Sequence, residues 1–219
     1  MLGDSTNTDH PGSGPDPGNQ HGKSAWRTFF VNARATLPRA VHAAEAEQIA
    51  VHAVAVAQSL APDRDVAAYA PSGTEPGSAL MLEALVAAGF PVILPIMRPG
   101  SALDWARFEG AAAFRQARFG ILEPAGPLLG PGGVQSCGLV LVPALAVDRT
   151  GTRLGRGAGF YDRALGALAH RPPLIAVVRD EELVDHLPAD PHDVRMDGVI
   201  TPSGGHIRLP AGVEGTEGA

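Results

Sequence analysis

The residues whose types and spacing suit chemistry fall together between Val142 and Leu165, in the string VPALAVDRTGTRLGRGAGFYDRAL. Gly151, Gly155, Gly157 and Gly159 interleave with Arg153 and Arg156, and Tyr161 and Asp162 follow at once. Glycine lets the backbone approach an anion closely and aim successive N–H groups at it. Each guanidinium is a planar fork of donors matched to phosphate oxygens. A helix beginning near Tyr161 adds the partial positive charge of its N-terminus. These features describe a polyphosphate cradle in which both arginines face ligand and not core. It is neither common phosphate loop. The Walker pattern of Gly, four residues and Gly-Lys-Ser/Thr is absent, and GxGxxG fails because Phe160 stands at its last glycine.

Such a loop needs a strand to deliver it and a helix to follow it. Leu139-Val140-Leu141-Val142 is an uninterrupted apolar run, as in a strand covered on both faces, and Leu174 to Val178 is another. A helix from about Phe160 to His170 lies between them. Upstream, a short helix from Lys23 is broken at Pro38 and followed by a longer, Ala-rich one to about Leu60. Val66 to Tyr69 reads as a strand, Ser78 to about Ala88 as a helix stopped by Gly89, and Val92 to Leu94 as a strand. Gly198 to Thr201 adds one more. Alternation of buried strands and helices predicts an α/β fold of three layers, a mostly parallel sheet with helices on both faces. In such sheets ligands bind beyond the carboxyl ends of the strands, where the glycine loop must lie. Pro99 to Gly133 is less regular and suits hairpin or loop insertions.

With 219 residues and 45% hydrophobic composition the chain can bury one substantial core. Residues 1–22 are rich in Gly, Pro, Ser, Asp and Asn and read as a disordered tail. Residues 23–204 form a single domain, and 205–219 read as a flexible tail. A net charge of -6 disfavours an extended nucleic-acid surface, which runs on Lys and Arg. Apolar runs are too short to span a bilayer, and no signal peptide is legible. One cysteine, Cys137, forms neither an internal disulfide nor a multi-thiolate zinc site, and reads as a small buried residue beside a strand. The expected compartment is the cytoplasm, with no nucleic-acid or membrane partner.

The string GTRLGRGAGFYDR resembles the signature of the 5-formyltetrahydrofolate cyclo-ligase family, Gly-x-Arg-Leu-Gly-(Tyr or Arg)-Gly-x-Gly-(Tyr or Phe)-Tyr-Asp. Further matches occur in order: Lys23 and Arg27 resemble an early Lys-x-x-x-Arg pair, Tyr69 to Glu75 a segment ending in a substrate-contacting Glu, and Leu94-Pro95 and Phe119 to Pro124 intermediate landmarks. Asp180 to Pro188 and Pro191 to Val194 resemble the closing region. The resemblance covers about Lys23 to Thr201. It implies a Rossmann-like fold of the family's NagB/RpiA/CoA-transferase-like type, and a ligase that forms a cyclic C–N bond at the expense of ATP with Mg2+. The formyl oxygen of 5-formyltetrahydrofolate, itself sometimes polyglutamylated, is phosphorylated; N10 attacks the activated carbon; phosphate leaves; 5,10-methenyltetrahydrofolate remains. A formyl oxygen is a poor leaving group, and phosphorylation removes that obstacle.

Carried over residue by residue, the resemblance assigns ATP to Lys23, Arg27 and the run Arg153, Leu154, Gly155, Arg156, Gly157, Ala158, Gly159, Phe160 and Tyr161. Arg153, Arg156 and Tyr161 form the catalytic set, because phosphoryl transfer depends chiefly on positioning and on neutralising charge. Glu75, Trp105, Phe119 and Tyr161 are assigned to the folate, and Asp162 and Asp193 to magnesium. The expected assembly is a monomer or weak dimer. The chain departs from the family pattern at Ala158, where Gly or Lys is common, at Phe160 for a tyrosine, at Ala144 and Val147 for Gly and Phe, and at Glu182 for a Gln. A carboxylate at 182 near the site changes its polar contacts or repels phosphate. The alternative function is a non-catalytic or repurposed folate- or nucleotide-binding relative. An isomerase or acyl transferase on a related scaffold is a further reading, since fold does not fix chemistry.

Overall fold

The computed structural model describes residues 22–98, 103–116 and 122–210. Two helices open it, α1 (Lys23–Ala35) and α2 (Arg39–Leu60), separated by the predicted break at Pro38. Helix α1 buries Trp26, Phe30 and Arg34, each one turn beyond the last. Helix α2 buries Ala46, Ile49, Ala50, Ala53, Val56 and Ala57, an alanine-rich stripe. Strand β1 (Val66–Ala67) follows, then α3 (Ala79–Ala87), whose Ser78 Oγ accepts a bond from the Leu80 N–H at 3.2 Å, and β2 (Val92–Met97). The irregular segment supplies β3 (Leu103–Arg107) and the strands β4 (Phe114–Gln116) and β5 (Leu122–Pro124). Then come β6 (Leu139–Pro143), β7 (Ala146–Asp148), β8 (Arg153–Leu154), α4 (Phe160–Gly166), β9 (Leu174–Val177), β10 (Leu183–Val184), β11 (Gly198–Thr201) and β12 (Gly205–Arg208).

Seven strands form the main sheet in the order β12-β11-β9-β6-β1-β2-β3. The five central strands are parallel, and the edge strands β12 and β3 run antiparallel to their neighbours. Alternation along the strands divides the core. Val66, Val92, Leu94, Leu139, Leu141, Ile175, Val177 and Ile200 pack with α2 and α3, whereas Ala67, Ile93, Val140, Val142, Leu174, Ala176 and Val199 pack with Leu165 of α4 and with Val134 of a 3-10 turn (Pro131–Ser136). Helical cover on both faces of a mostly parallel sheet is the predicted three-layer arrangement.

Residues Gly205–Arg208, expected in a tail, pair with β11 instead. The chain reverses through residues 202–204 into Gly205, whose φ of +64° suits glycine. Four residues around one histidine and one isoleucine carry too little apolar pattern to announce an edge strand.

A second, three-stranded sheet, β10-β7-β8, takes β7 and β8 from the segment between β6 and α4. Its apolar side takes Trp26 and Phe30 of α1 against Leu145, Ala146, Leu154 and Leu187, so α1 is docked on the platform from which the glycine loop springs.

Strand order locates the binding crevice. From β1 the chain crosses through α3 to β2 on one side, then returns to β6 on the other and continues outward to β9 and β11. The direction of winding reverses between β1 and β6, so the segments leaving their carboxyl ends diverge and open a crevice there.

Candidate functional site

A cavity of about 570 Å³ occupies that crevice, a volume within the range of small-molecule sites. Tyr69 and Ala70 leave β1 on one wall, and Pro143, Ala144 and Leu145 leave β6 on the other. The glycine loop, α1, β2, β5 and the segment around Asp193 close the remaining sides.

Helix α1 supplies Lys23, Arg27 and Arg34. At 100° per residue, offsets of 4 and 11 place all three within about 40° of one another, so they form a basic stripe some 16 Å long beside the Trp26–Phe30 seam. Arg27 Nε donates to Gly155 O at 2.9 Å, and among the described residues Arg27 has no carboxylate at ion-pair distance. Lys23 Nζ lies 2.5 Å from Asp193 Oδ2 and 2.7 Å from Asp190 Oδ2. Burial by itself would lower the Lys23 pKa, but hydrogen bonds and charge from the two aspartates outweigh it and hold the ammonium above the ordinary lysine value. The same partnership, first as a hydrogen bond and then as charge, lowers the Asp190 carboxyl.

The glycine loop is mounted on the β7–β8 hairpin. Asp148, fully buried, builds the turn: its Oδ1 accepts from the N–H groups of Thr150 and Thr152 at 2.8 and 2.9 Å, and its Oδ2 from Leu187 N–H at 3.0 Å. Gly151, expected in the cradle, sits in this turn with φ +90°, where an added Cβ would meet Met196 O at 2.6 Å. Its smallness serves packing against residues 195–196. Gly155, Gly157 and Gly159 do line the cavity. A Cβ on Gly157, where φ is +104°, would press on the Arg27 guanidinium at 3.3 Å.

The two loop arginines differ. Arg156 is 55% exposed and reaches Glu75 Oε1 at 3.3 Å, while Glu75 Oε2 accepts from Ser72 N–H and Oγ. The Arg153 side chain is only 5% exposed: it lines the cavity yet is built into the protein, donating to Asp162 Oδ2 at 2.8 Å and to Pro143 O at 3.2 Å. Its Nε is buried with no acceptor among the described residues. Tyr161 lies with its ring centroid 5.7 Å from the Arg153 guanidinium, and its buried hydroxyl has no partner among the described residues. Burial, reinforced by the charge of Glu75 and only partly offset by Arg153, pushes the Tyr161 pKa well up, so the group stays a phenol and a donor. Helix α4 is two turns long, shorter than expected, which reduces what its N-terminus adds to the cradle.

Ala158, Phe160, Asp162 and Asp193 also line the cavity. The donor atoms of Asp190, His192 and Asp193 lie within 4.8 Å of one another; Asp162 is outside that group, with one oxygen on Arg153 and the other 3.4 Å from Val194 N–H. Two assigned residues are placed elsewhere. Trp105 is fully buried in the core on the α4 side of the sheet, and Leu154 packs under α1, so neither side chain lines the cavity. Phe119 lies outside the described residues. The sequence reading gave no site role to Arg34, Asp190, His192 or Glu123, all of which line the cavity. The three-turn offset from Lys23 would have flagged Arg34. Glu123, 7% exposed, accepts the Met97 N–H at 2.9 Å beside Leu94, Pro95, Met97 and Leu103, which make this end of the cavity apolar.

The description "5-formyltetrahydrofolate cyclo-ligase family" belongs to the family model that matches residues 19–202. The chain belongs to this family. It is an enzyme of the cyclo-ligase type: a 5-formyltetrahydrofolate cyclo-ligase from Mycolicibacterium smegmatis is 43% identical over 192 residues, 85% of this chain and 97% of that protein. A protein of the same description from Escherichia coli K12 is 32% identical over 126 residues, 56% of this chain and 69% of that one. Among solved structures, the 5,10-methenyltetrahydrofolate synthetase of Aquifex aeolicus superposes with a TM-score of 0.67 at 27% identity, covering 87% of this chain and 94% of that one. The synthetase from Mycoplasma pneumoniae, at 22% identity and a TM-score of 0.64, shows the same fold. In this member of the family the signature residues therefore surround a crevice that topology alone would select. No described helix is long and apolar enough to cross a membrane.

Proposed function

We propose that the cavity binds ATP at its basic end and 5-formyltetrahydrofolate at its apolar end, and that the enzyme makes 5,10-methenyltetrahydrofolate, ADP and phosphate. The observation that carries this reading is the division of one cavity into two chemistries. Lys23, Arg27, Arg153 and Arg156 gather around the glycine loop, and Leu94, Pro95, Met97 and Leu103 form the opposite end with the carboxylate of Glu123.

A polyphosphate fits the basic end. Arg27 is uncommitted to any described carboxylate, and Gly157 leaves open a space beside its guanidinium that any side chain would crowd. The formyl oxygen attacks the terminal phosphorus and ADP departs; N10 then attacks the formyl carbon and gives up its proton to solvent, and the phosphorylated oxygen leaves as phosphate. Charge on the transferred group is met by Arg153, which its bonds to Asp162 and Pro143 O hold in place before any ligand arrives. Tyr161, kept as a phenol, offers its unpaired hydroxyl between the two ends. Glu75, fixed by Ser72 and paired with Arg156 of the glycine loop, is the carboxylate that contacts the folate.

Asp193 and Asp190 are the grouped oxygen donors that would hold magnesium, a hard cation that suits carboxylates and retained water, while Asp162, the other assigned ligand, is engaged by Arg153. When bound, it supplies charge neutralisation on the phosphates.

The test is absorbance at the methenyltetrahydrofolate band after mixing protein, 5-formyltetrahydrofolate, magnesium and ATP, with ATP omitted in parallel. A rise that requires ATP is expected. Folded protein that binds ATP or folate and gives no rise would overturn the assignment in favour of a non-catalytic relative.

A further inference from the structure

Beneath the cavity lies a buried ionic cluster that touches no part of the glycine loop. Glu182 ends a 3-10 turn (Asp180–Glu182) just after β9 and is 4% exposed. Its Oε1 accepts from Arg34 Nε at 2.6 Å, and its Oε2 from Arg34 Nη2 and from the Arg179 backbone N–H, both at 2.8 Å. Arg34 Nη2 also donates to Ala144 O at 2.6 Å, where the chain leaves β6. Arg179 in turn donates through Nε to Glu45 Oε2 at 2.7 Å and through Nη1 to Thr74 O at 3.1 Å, in the loop that carries Glu75. Two guanidiniums and two carboxylates thus link α1, the exit of β6 and the Glu75 loop.

The sequence suggested that a carboxylate at 182 would alter contacts at the site or repel phosphate. It does not line the cavity, and its charge is taken up by Arg34 and Arg179. The geometry also suits a carboxylate better than an amide. Both oxygens accept from N–H donors, so an amide here would turn its NH2 against one of those donors. It would also leave one buried guanidinium uncompensated.

We propose that Glu182 is the positioning residue that sets the distance between the two walls of the cavity: through Arg34 it fixes the β6 exit at Ala144, and through Arg179 it fixes the loop bearing Glu75. This rests on the reading of the cavity as the ATP and folate site. Neither Glu182 nor Arg179 touches substrate, so the effect is exerted on the placement of Glu75 and Arg153.

The experiment compares wild type, Glu182→Gln and Glu182→Asp at a temperature where each is fully folded by circular dichroism, measuring kcat, KM for each substrate, and the Kd for 5-formyltetrahydrofolate without ATP. For Glu182→Gln the folate Kd and KM rise and kcat/KM falls roughly 10- to 100-fold, as for misplacement of a catalytic group by a remote change. Glu182→Asp, which keeps the charge, recovers part of the loss. A lowered Tm with unchanged kcat, KM and Kd would show a merely structural role and overturn the proposal. If Glu182→Gln does not fold, Arg179→Lys keeps the charge but loses the fork, and the same rise in folate Kd with unchanged ATP affinity is expected; unchanged folate Kd overturns the proposal. Wild-type protein that binds folate but does not turn over puts the activity reading at fault, while the folate Kd comparison still decides Glu182. Wild-type protein that binds no folate overturns both.

Discussion

The two ends of the cavity are built on opposite plans. At the basic end most cations arrive with a counterion: Lys23 with Asp190 and Asp193, Arg153 with Asp162, Arg156 with Glu75. At the apolar end Leu94, Pro95, Met97 and Leu103 supply shape, and Glu123 supplies one carboxylate held by a backbone N–H. The basic end is therefore assembled before any anion enters, and an incoming polyphosphate exchanges one set of ionic partners for another. The apolar end offers mainly shape, with the single carboxylate of Glu123, and selects chiefly by fit. Charge placement at one end and contact area at the other are what the proposed reaction between a polyphosphate and a reduced pterin, flat only in its pyrimidine ring, would require.

Removing the buried cation breaks this contrast most severely. Arg153→Ala should cut ATP-dependent turnover by about 10³-fold, the scale of losing an arginine from a transferring phosphoryl group. It should also lower stability by about 1–3 kcal/mol, because Asp162 loses its partner. Arg156→Ala, at a largely exposed side chain, should lose turnover with Tm nearly unchanged. Thermal melts beside steady-state kinetics check both. Gly157→Ala comes next. At φ +104°, with its Cβ 3.3 Å from the Arg27 guanidinium, it should reduce turnover by about 10²-fold through displacement of loop and arginine together. The apolar end is probed by Met97→Ala, which should raise the KM for folate about 10-fold and leave the KM for ATP unchanged. The reverse pattern would erase the distinction between the ends.

The smallest effect lies outside the cavity. Burial, aided by the charge of Asp65, pushes the Cys137 thiol up to about 12. Native protein at about pH 8 should thus resist iodoacetamide, whereas unfolded protein reacts. Because the folded-state value is raised, the stability linked to this thiol is fully present below the ordinary cysteine range and is lost as pH climbs toward the folded-state value.

What the sequence disclosed follows the same physical division. Long apolar runs such as Leu139 to Val142 announce buried strands because both faces are covered, and the glycine–arginine string announces an anion loop because few other roles need those residues together. Strands β7, β8, β10 and β12 are two to four residues long, too short for a period to emerge. Lys23 and Arg27 were legible only through resemblance, since a lysine and an arginine one turn apart suit any solvated helix. Arg34 and Glu182 stand 148 residues apart, and their pairing depends on how α1 docks across the small sheet. Trp105, assigned to the folate, belongs to the core because β3 turns that face inward against Val134 and Cys137.

The most direct test of a two-ended cavity is the pair of dissociation constants, for ATP and for 5-formyltetrahydrofolate, of wild type and Arg27→Ala. Arg27 is the cation whose removal leaves no described carboxylate unpaired. The ATP Kd should rise about 10-fold or more, the worth of one charge-assisted contact, with the folate Kd unchanged. An equal rise in the folate Kd, or no change in the ATP Kd, would contradict the account.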